Sequence, residues 1–102
     1  MPSLEQLQKL LAVDPNDAFL LYGLGQEYAR QGDTARAVEY YDKCLGVDPA
    51  YCYAYYHKAR ALDAAGMREE AIEALRAGFK QAQIVSDRHA ASEISALLDE
   101  LT

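Results

Sequence analysis

The strongest constraint on this chain is that it repeats itself at an offset of 34 residues. Asp14-Pro15 returns as Asp48-Pro49, Tyr22 as Tyr56, and Gly32 as Gly66. Between these fixed points the first copy carries Leu21, Leu24, Gly25 and Tyr28, then Ala37 and Tyr41, then Pro49. The second carries Tyr55, Lys58, Ala59 and Leu62, then Ala71 and Leu75, then Gln83. Large and small positions three and four apart are the period of a helix buried along one face. Gly32 and Gly66 stop a helix in mid-copy, so each copy reads as two helices. A unit this short cannot bury its apolar face alone and must stack on its neighbours.

The remaining punctuation sets the helix limits. Ser3 with Gln6 fits a capping box and opens a helix over 3–12, with Leu4, Leu7 and Leu11 on one face and Leu10 beside them. Asp14-Pro15 starts the helix of about 17–31. Asp33 caps the next, about 34–46, whose stripe is Ala37, Val38, Tyr41 and Leu45. Residues 50–65 repeat the first helix of the unit. The helix of about 68–82 buries Ala71, Ile72, Leu75 and Phe79, with Met67 where the first copy has its capping Asp33. Gly25 and Gly78 read as sites of close helix approach, and Gly78 stands where the first copy has Cys44. Gly23 reads as facing an open groove beside Tyr22.

The last segment breaks register. A strict offset would bury His89, Ser92, Glu93 and Ala96, whereas Ala91, Ile94, Leu98 and Leu101 form an apolar face flanked by Ala90 and Leu97. That face requires the connection through Ser86-Asp87 to be about two residues longer than its counterpart. The helix of about 87–101 is therefore expected to cap the stack in the shifted register.

A large apolar residue, two spacers, Leu-Gly, two spacers, Tyr, then Ala, three spacers, an aromatic and a closing Pro is the order set by Leu21, Leu24-Gly25, Tyr28, Ala37, Tyr41 and Pro49. It resembles the tetratricopeptide repeat family, with Leu21 where that family prefers Trp. The resemblance implies an all-α fold, a right-handed α-solenoid of antiparallel helix pairs with about six helices. On that pattern a partial repeat helix covers 3–15, repeats cover 16–49 and 50–83, and a capping helix lies within 84–102 of a single domain. The opening helix corresponds in register to the second helix of a repeat whose first helix is missing.

Enzymatic readings find little support. Gly23-Leu24-Gly25 opens like a dinucleotide-binding glycine motif but lacks the third glycine and a preceding strand. Cys52 and His57 fall on different helix faces, which argues against a nucleophile pair. No pair among Cys44, Cys52, His57 and His89 has structural-zinc spacing. Glu69, Glu70 and Glu73 suit a solvated first turn, where the helix dipole favours acids. No catalytic residue, cofactor or metal is expected.

The formal net charge of −6 argues against a nucleic-acid backbone as partner. No apolar run approaches a membrane span and no signal-peptide pattern opens the chain. The two cysteines read as reduced thiols, and a cytoplasmic location is expected.

In the family that the sequence resembles, the first helix of each repeat lines a concave surface that takes peptides or partner helices. Phe19, Tyr22, Gln26 and Arg30 would lie there in one copy and Tyr53, Tyr56, His57 and Arg60 in the next. Tyr28, Tyr41 and Tyr55 read as packing residues. The expected ligand has apolar anchors for the tyrosines and acidic groups for Arg30 and Arg60. The Lys and Asn pattern with which some family members grip a C-terminal carboxylate has no counterpart on this stripe. The leading expectation is a non-catalytic protein–protein interaction module. The alternatives are a self-assembling element forming a weak homo-oligomer, or an accessory domain of a larger enzyme or regulator.

Overall fold

A computed structural model describes residues 2–102. Six helices follow one another: α1 (Leu4–Val13), α2 (Ala18–Arg30), α3 (Thr34–Val47), α4 (Cys52–Ala64), α5 (Arg68–Ile84) and α6 (Arg88–Leu101). Each begins and ends within about two residues of the sequence expectation, because local chemistry dictates most of the boundaries. At the start of α1, Ser3 Oγ accepts from the Gln6 amide at 3.2 Å and Gln6 Oε1 accepts from the Ser3 amide at 2.8 Å. Asp17, Asp33 and Asp87 cap α2, α3 and α6 through the amides of Leu20, Arg36 and Ala90. The starts of α4 and α5, at Tyr51 and Met67, have no side-chain cap.

Three helices end in the same way. Gly32, Gly66 and Ser86 adopt φ of +80°, +79° and +58°. The following amides, of Asp33, Met67 and Asp87, close back on the carbonyls of Tyr28, Leu62 and Ala82. This left-handed turn satisfies carbonyls that the helix end leaves free. Glycine meets its torsional demand without strain, whereas Ser86 carries a Cβ into it.

The helices form an antiparallel stack. We call α2, α4 and α6 leading helices and α1, α3 and α5 trailing helices. Leading helices touch one another along the stack, while among the described residues trailing helices do not. The stack therefore curves with the leading helices on its inner side. Leu7, Leu21, Leu24, Tyr28, Ala37, Tyr41 and Cys44 form one core cluster. Leu62, Ala71, Leu75, Ala82, Ala90 and Ile94 centre the other.

Small residues set the helix spacing. A Cβ at Gly25 would lie 2.6 Å from Tyr41 Cε1, and one at Gly78 would lie 2.5 Å from Tyr55 Cβ. Gly23 departs from its expected place: its missing Cβ points at Leu7 of α1, 3.5 Å away, and not into a groove. It is buried because α1 occupies that side of α2.

The shifted register of the last helix holds. Ile94 is fully buried, Leu98 packs against the core, and Ser92 is exposed. Leading helices start at 18, 52 and 88, so the step is 34 and then 36. The extra residues do not lengthen the loop, as the sequence reading had it. They extend α5 to Ile84, and the connection closes through the tight turn at Ser86.

Candidate functional site

The residues expected on the stripe lie on two leading helices: Phe19, Tyr22, Gln26 and Arg30 on α2, and Tyr53, Tyr56, His57 and Arg60 on α4. Phe19, Tyr22 and Gln26 stand 34 residues before Tyr53, Tyr56 and Arg60. Applying the observed step of 36 brings His89, Glu93 and Ala96 of α6 into line with Tyr53, His57 and Arg60. The sequence reading found the register shift of α6 but did not carry that helix onto the stripe.

Aromatic rings run unbroken across the three leading helices. The Tyr22 ring lies 5.1 Å from Tyr51 and 5.7 Å from His57. His57 meets Tyr56 edge-on at 5.1 Å, Tyr56 meets Tyr53 at 6.4 Å, and Tyr53 meets His89 at 6.4 Å. Such pairs each contribute about 0.5–1.5 kcal/mol beyond area burial, so the ladder holds its own shape. Tyr22, Tyr53, Tyr56 and His57 are half-buried, so one side of each is packed and the other open. Phe19 stands apart, 67% exposed and outside both core clusters.

Below the ladder, the Tyr41 hydroxyl donates to Gln26 Oε1. Gln26 is thereby tied to a fully buried tyrosine. Burial pushes the Tyr22 hydroxyl up to about 12, with Tyr51 adding to the effect. Burial likewise lowers the His57 imidazole below its ordinary value, and the Arg60 charge adds to that. Both shifts favour the uncharged forms of Tyr22 and His57.

The charged half of the surface differs from expectation. Arg30 is not free: its guanidinium pairs at 2.6 Å with Glu27, a carboxylate only 4% exposed. The hydrogen bond from Arg30 holds the Glu27 carboxyl below its usual range. Arg60 lies over the Tyr56 ring at 5.9 Å and has no ion pair among the described residues. Yet it opens onto a cleft of about 330 Å³ that it shares with Tyr56, Glu93, Ala96, Leu97 and Glu100. A ligand there meets both signs of charge. Of the two arginines expected to meet acidic groups, Arg30 is paired with Glu27, and Arg60 shares its cleft with two carboxylates.

The packing tyrosines fall as expected. Tyr28 and Tyr41 are buried, and Tyr55 covers Gly78 while its hydroxyl donates to the Pro49 carbonyl at 3.0 Å. Cys44 and Cys52 are free and buried, and burial pushes the Cys44 thiol up to about 11, away from nucleophilic use. No helix among the described residues is long and apolar enough to cross a membrane.

Family models described as tetratricopeptide repeat match residues 18–51 and 53–83. A tetratricopeptide repeat-containing protein of Pseudomonas aeruginosa is 34% identical over 98 residues, covering 96% of this chain and 93% of its own. Among solved structures, the TPR2B domain of yeast Sti1 in complex with pHsp70 superposes with a TM-score of 0.89 at 23% identity, over 96% of this chain and 78% of that one. PcrH in complex with the chaperone binding region of PopD gives 0.88 at 20% identity, over 96% and 74%.

Proposed function

We propose, from the premise that this chain belongs to the tetratricopeptide repeat family, that it is a non-catalytic module binding a partner peptide or helix along its inner surface. The observation that carries this reading is the aromatic ladder from Tyr51 to His89, half-open along the inner curve of all three leading helices. Tyr and His rings offer large area, a polar edge and few rotors to immobilise, which favours recognition of another chain. The Sti1 domain and PcrH were solved with bound partners. They support the scaffold's capacity for such a role, while the residues proposed here are this chain's own.

The ligand-facing residues are Phe19, Tyr22, Tyr53, Tyr56 and Arg60, with Gln26, Arg30 and His57 holding the surface in shape. Apolar anchors of the partner lie on the tyrosine rings. A polar or zwitterionic portion lies in the cleft between Arg60 and Glu93. Because Arg60 faces carboxylates in its own cleft, affinity depends only weakly on salt.

The test starts with a peptide array or pull-down using the intact chain. The binder found is then titrated against Tyr56→Ala, Arg60→Glu and Arg76→Glu variants whose melts confirm the fold. Arg76 is exposed on α5 among Glu69, Glu70 and Glu73, away from the ladder. Loss in the first two with retention in the third supports the reading. The reverse pattern moves the site to the trailing-helix side.

A further inference from the structure

The aromatic ladder is rich in hydrogen-bond donors and poor in strong acceptors. The hydroxyls of Tyr22, Tyr51, Tyr53 and Tyr56 have no hydrogen-bond partner among the described residues. Among those residues no buried side-chain nitrogen or oxygen lacks a partner, so these half-buried tyrosines keep their hydroxyls in reach of solvent. Gln26 accepts from Tyr41 through Oε1, which leaves its amide N–H groups without a protein partner. Burial keeps the Tyr22 hydroxyl protonated and able to donate. Carboxylates stand only toward α6, where Glu93 and Glu100 share the Arg60 cleft.

The spacing of the rungs selects among ligand conformations. Equivalent tyrosines recur once per leading helix, Tyr22 on α2 and Tyr56 on α4. Packed helices stand about 8–10 Å apart. A polyproline II chain returns to the same edge after three residues, about 9.3 Å further on. A strand repeats its face about every 6.7 Å, and three residues turn it to the opposite face. It must also satisfy an N–H at every residue, and phenol oxygens and an imidazole nitrogen are weak acceptors for that purpose. An α-helix bonds its own carbonyls internally and would leave the hydroxyl donors unused. Proline brings a carbonyl acceptor, no N–H, and a compact apolar ring. A proline-rich chain is also stiff before it binds, so little freedom is lost on docking.

We propose that the inner side takes a proline-rich segment in the polyproline II conformation, its carbonyls accepting from Tyr22, Tyr56 and Gln26 and its pyrrolidine rings lying on the tyrosines. Aromatic grooves recognise this conformation by the same pairing of ring contact and donated hydrogen bonds. The inference rests on the inner-surface reading and names the ligand class for it.

The test is decaproline titrated into the intact chain and followed by amide NMR shifts, so that millimolar binding is visible. Shifts should run along α2 and α4. A counterpart with alanine at every second position, which restores N–H groups, should bind at least about fivefold more weakly. Tyr22→Phe and Tyr56→Phe keep the rings and remove one donor each, and should each weaken decaproline by roughly two- to tenfold. Arg76→Glu should bind like the unaltered chain. Absence of any shift at millimolar decaproline overturns the inference, and so does unchanged affinity in both phenylalanine variants. An amphipathic helical peptide of equal length, built from Leu, Glu and Lys, separates the two readings. If it binds where decaproline does not, and weakens with Tyr56→Ala but not with Tyr56→Phe, the inner surface stands and the polyproline ligand falls. Decaproline binding that Arg76→Glu abolishes and both tyrosine changes spare overturns both readings.

Discussion

Gly23 and Gly25 lie two residues apart on α2, and adding one methyl group to each should move stability in opposite directions. Both glycines cost about 1 kcal/mol of helix propensity against alanine. At Gly23 the new Cβ finds Leu7 Cδ2 at 3.5 Å, an ordinary contact, so most of that propensity is recovered. At Gly25 it would lie 2.6 and 2.7 Å from the Tyr41 ring. That ring is fully buried, lies 6.1 Å from Tyr22, and has its hydroxyl tied to Gln26, so it cannot swing aside freely. Overpacking of this kind costs about 1–3 kcal/mol, which outweighs the propensity gain. For a domain of this size about 1 kcal/mol moves Tm by roughly 4–8 °C. Thermal melts followed by circular dichroism should show Gly23→Ala above the parent and Gly25→Ala at or below it, with Gly25→Leu far below. In the second copy the same two positions hold Ala59 and Leu75, both buried in one core cluster. Gly25→Ala with Tyr41→Leu should therefore lose less than the sum of its single changes. Additive losses, or a Gly23→Ala as damaging as Gly25→Ala, would refute the assignment of these faces.

Gly78→Ala should lower Tm more than Gly25→Ala, because the obstruction is Tyr55 Cβ, which no rotamer change can move; the same melts check it. Met67→Asp supplies the cap that α5 lacks and should raise stability by about 1 kcal/mol in denaturant titration. Ser86→Gly should also stabilise, by about 1 kcal/mol, since φ at that position is +58°. His57 has its folded-state pKa lowered from 6.5, so the unfolded chain binds its proton first. Stability should then fall as pH drops below the ordinary imidazole value, and His57→Gln should flatten that stretch of the curve. Glu27 acts in a separate window: its pKa is lowered from 4.5, so its contribution is lost only at more acid pH.

Much of this fold is legible in the sequence because punctuation and period agree. Asp and Ser caps, Gly stops and a 34-residue offset each place a boundary by local chemistry alone. The offset fails where tertiary contacts decide. Gly23 shares a helix face with groove residues, and only the position of α1 shows that its open side belongs to Leu7. The lengthening of α5 has no local signal, since Gln83-Ile84-Val85 suits a helix end or a loop equally. The stripe of aromatic residues could be read from spacing, but its continuity could not: that Tyr51 and His89 complete the ladder follows from packing between helices. Arg30 reads as free on the stripe when Glu27, three residues before it, is left out; the structure joins them at 2.6 Å. The cleft around Arg60 was missed because α6 was treated as a cap alone, although a step of 36 aligns Glu93 and Ala96 with it.

The most direct test of the central claim is an amide-resolved NMR titration of the intact chain with the first peptide that binds it. The account predicts that shifts and line broadening concentrate at Phe19, Tyr22, Tyr53, Tyr56, Arg60 and Glu93, along the inner faces of α2, α4 and α6. Perturbations confined to the outer faces of α3 and α5, around Asp42, Glu73 and Arg76, with the ladder resonances unmoved, would contradict it.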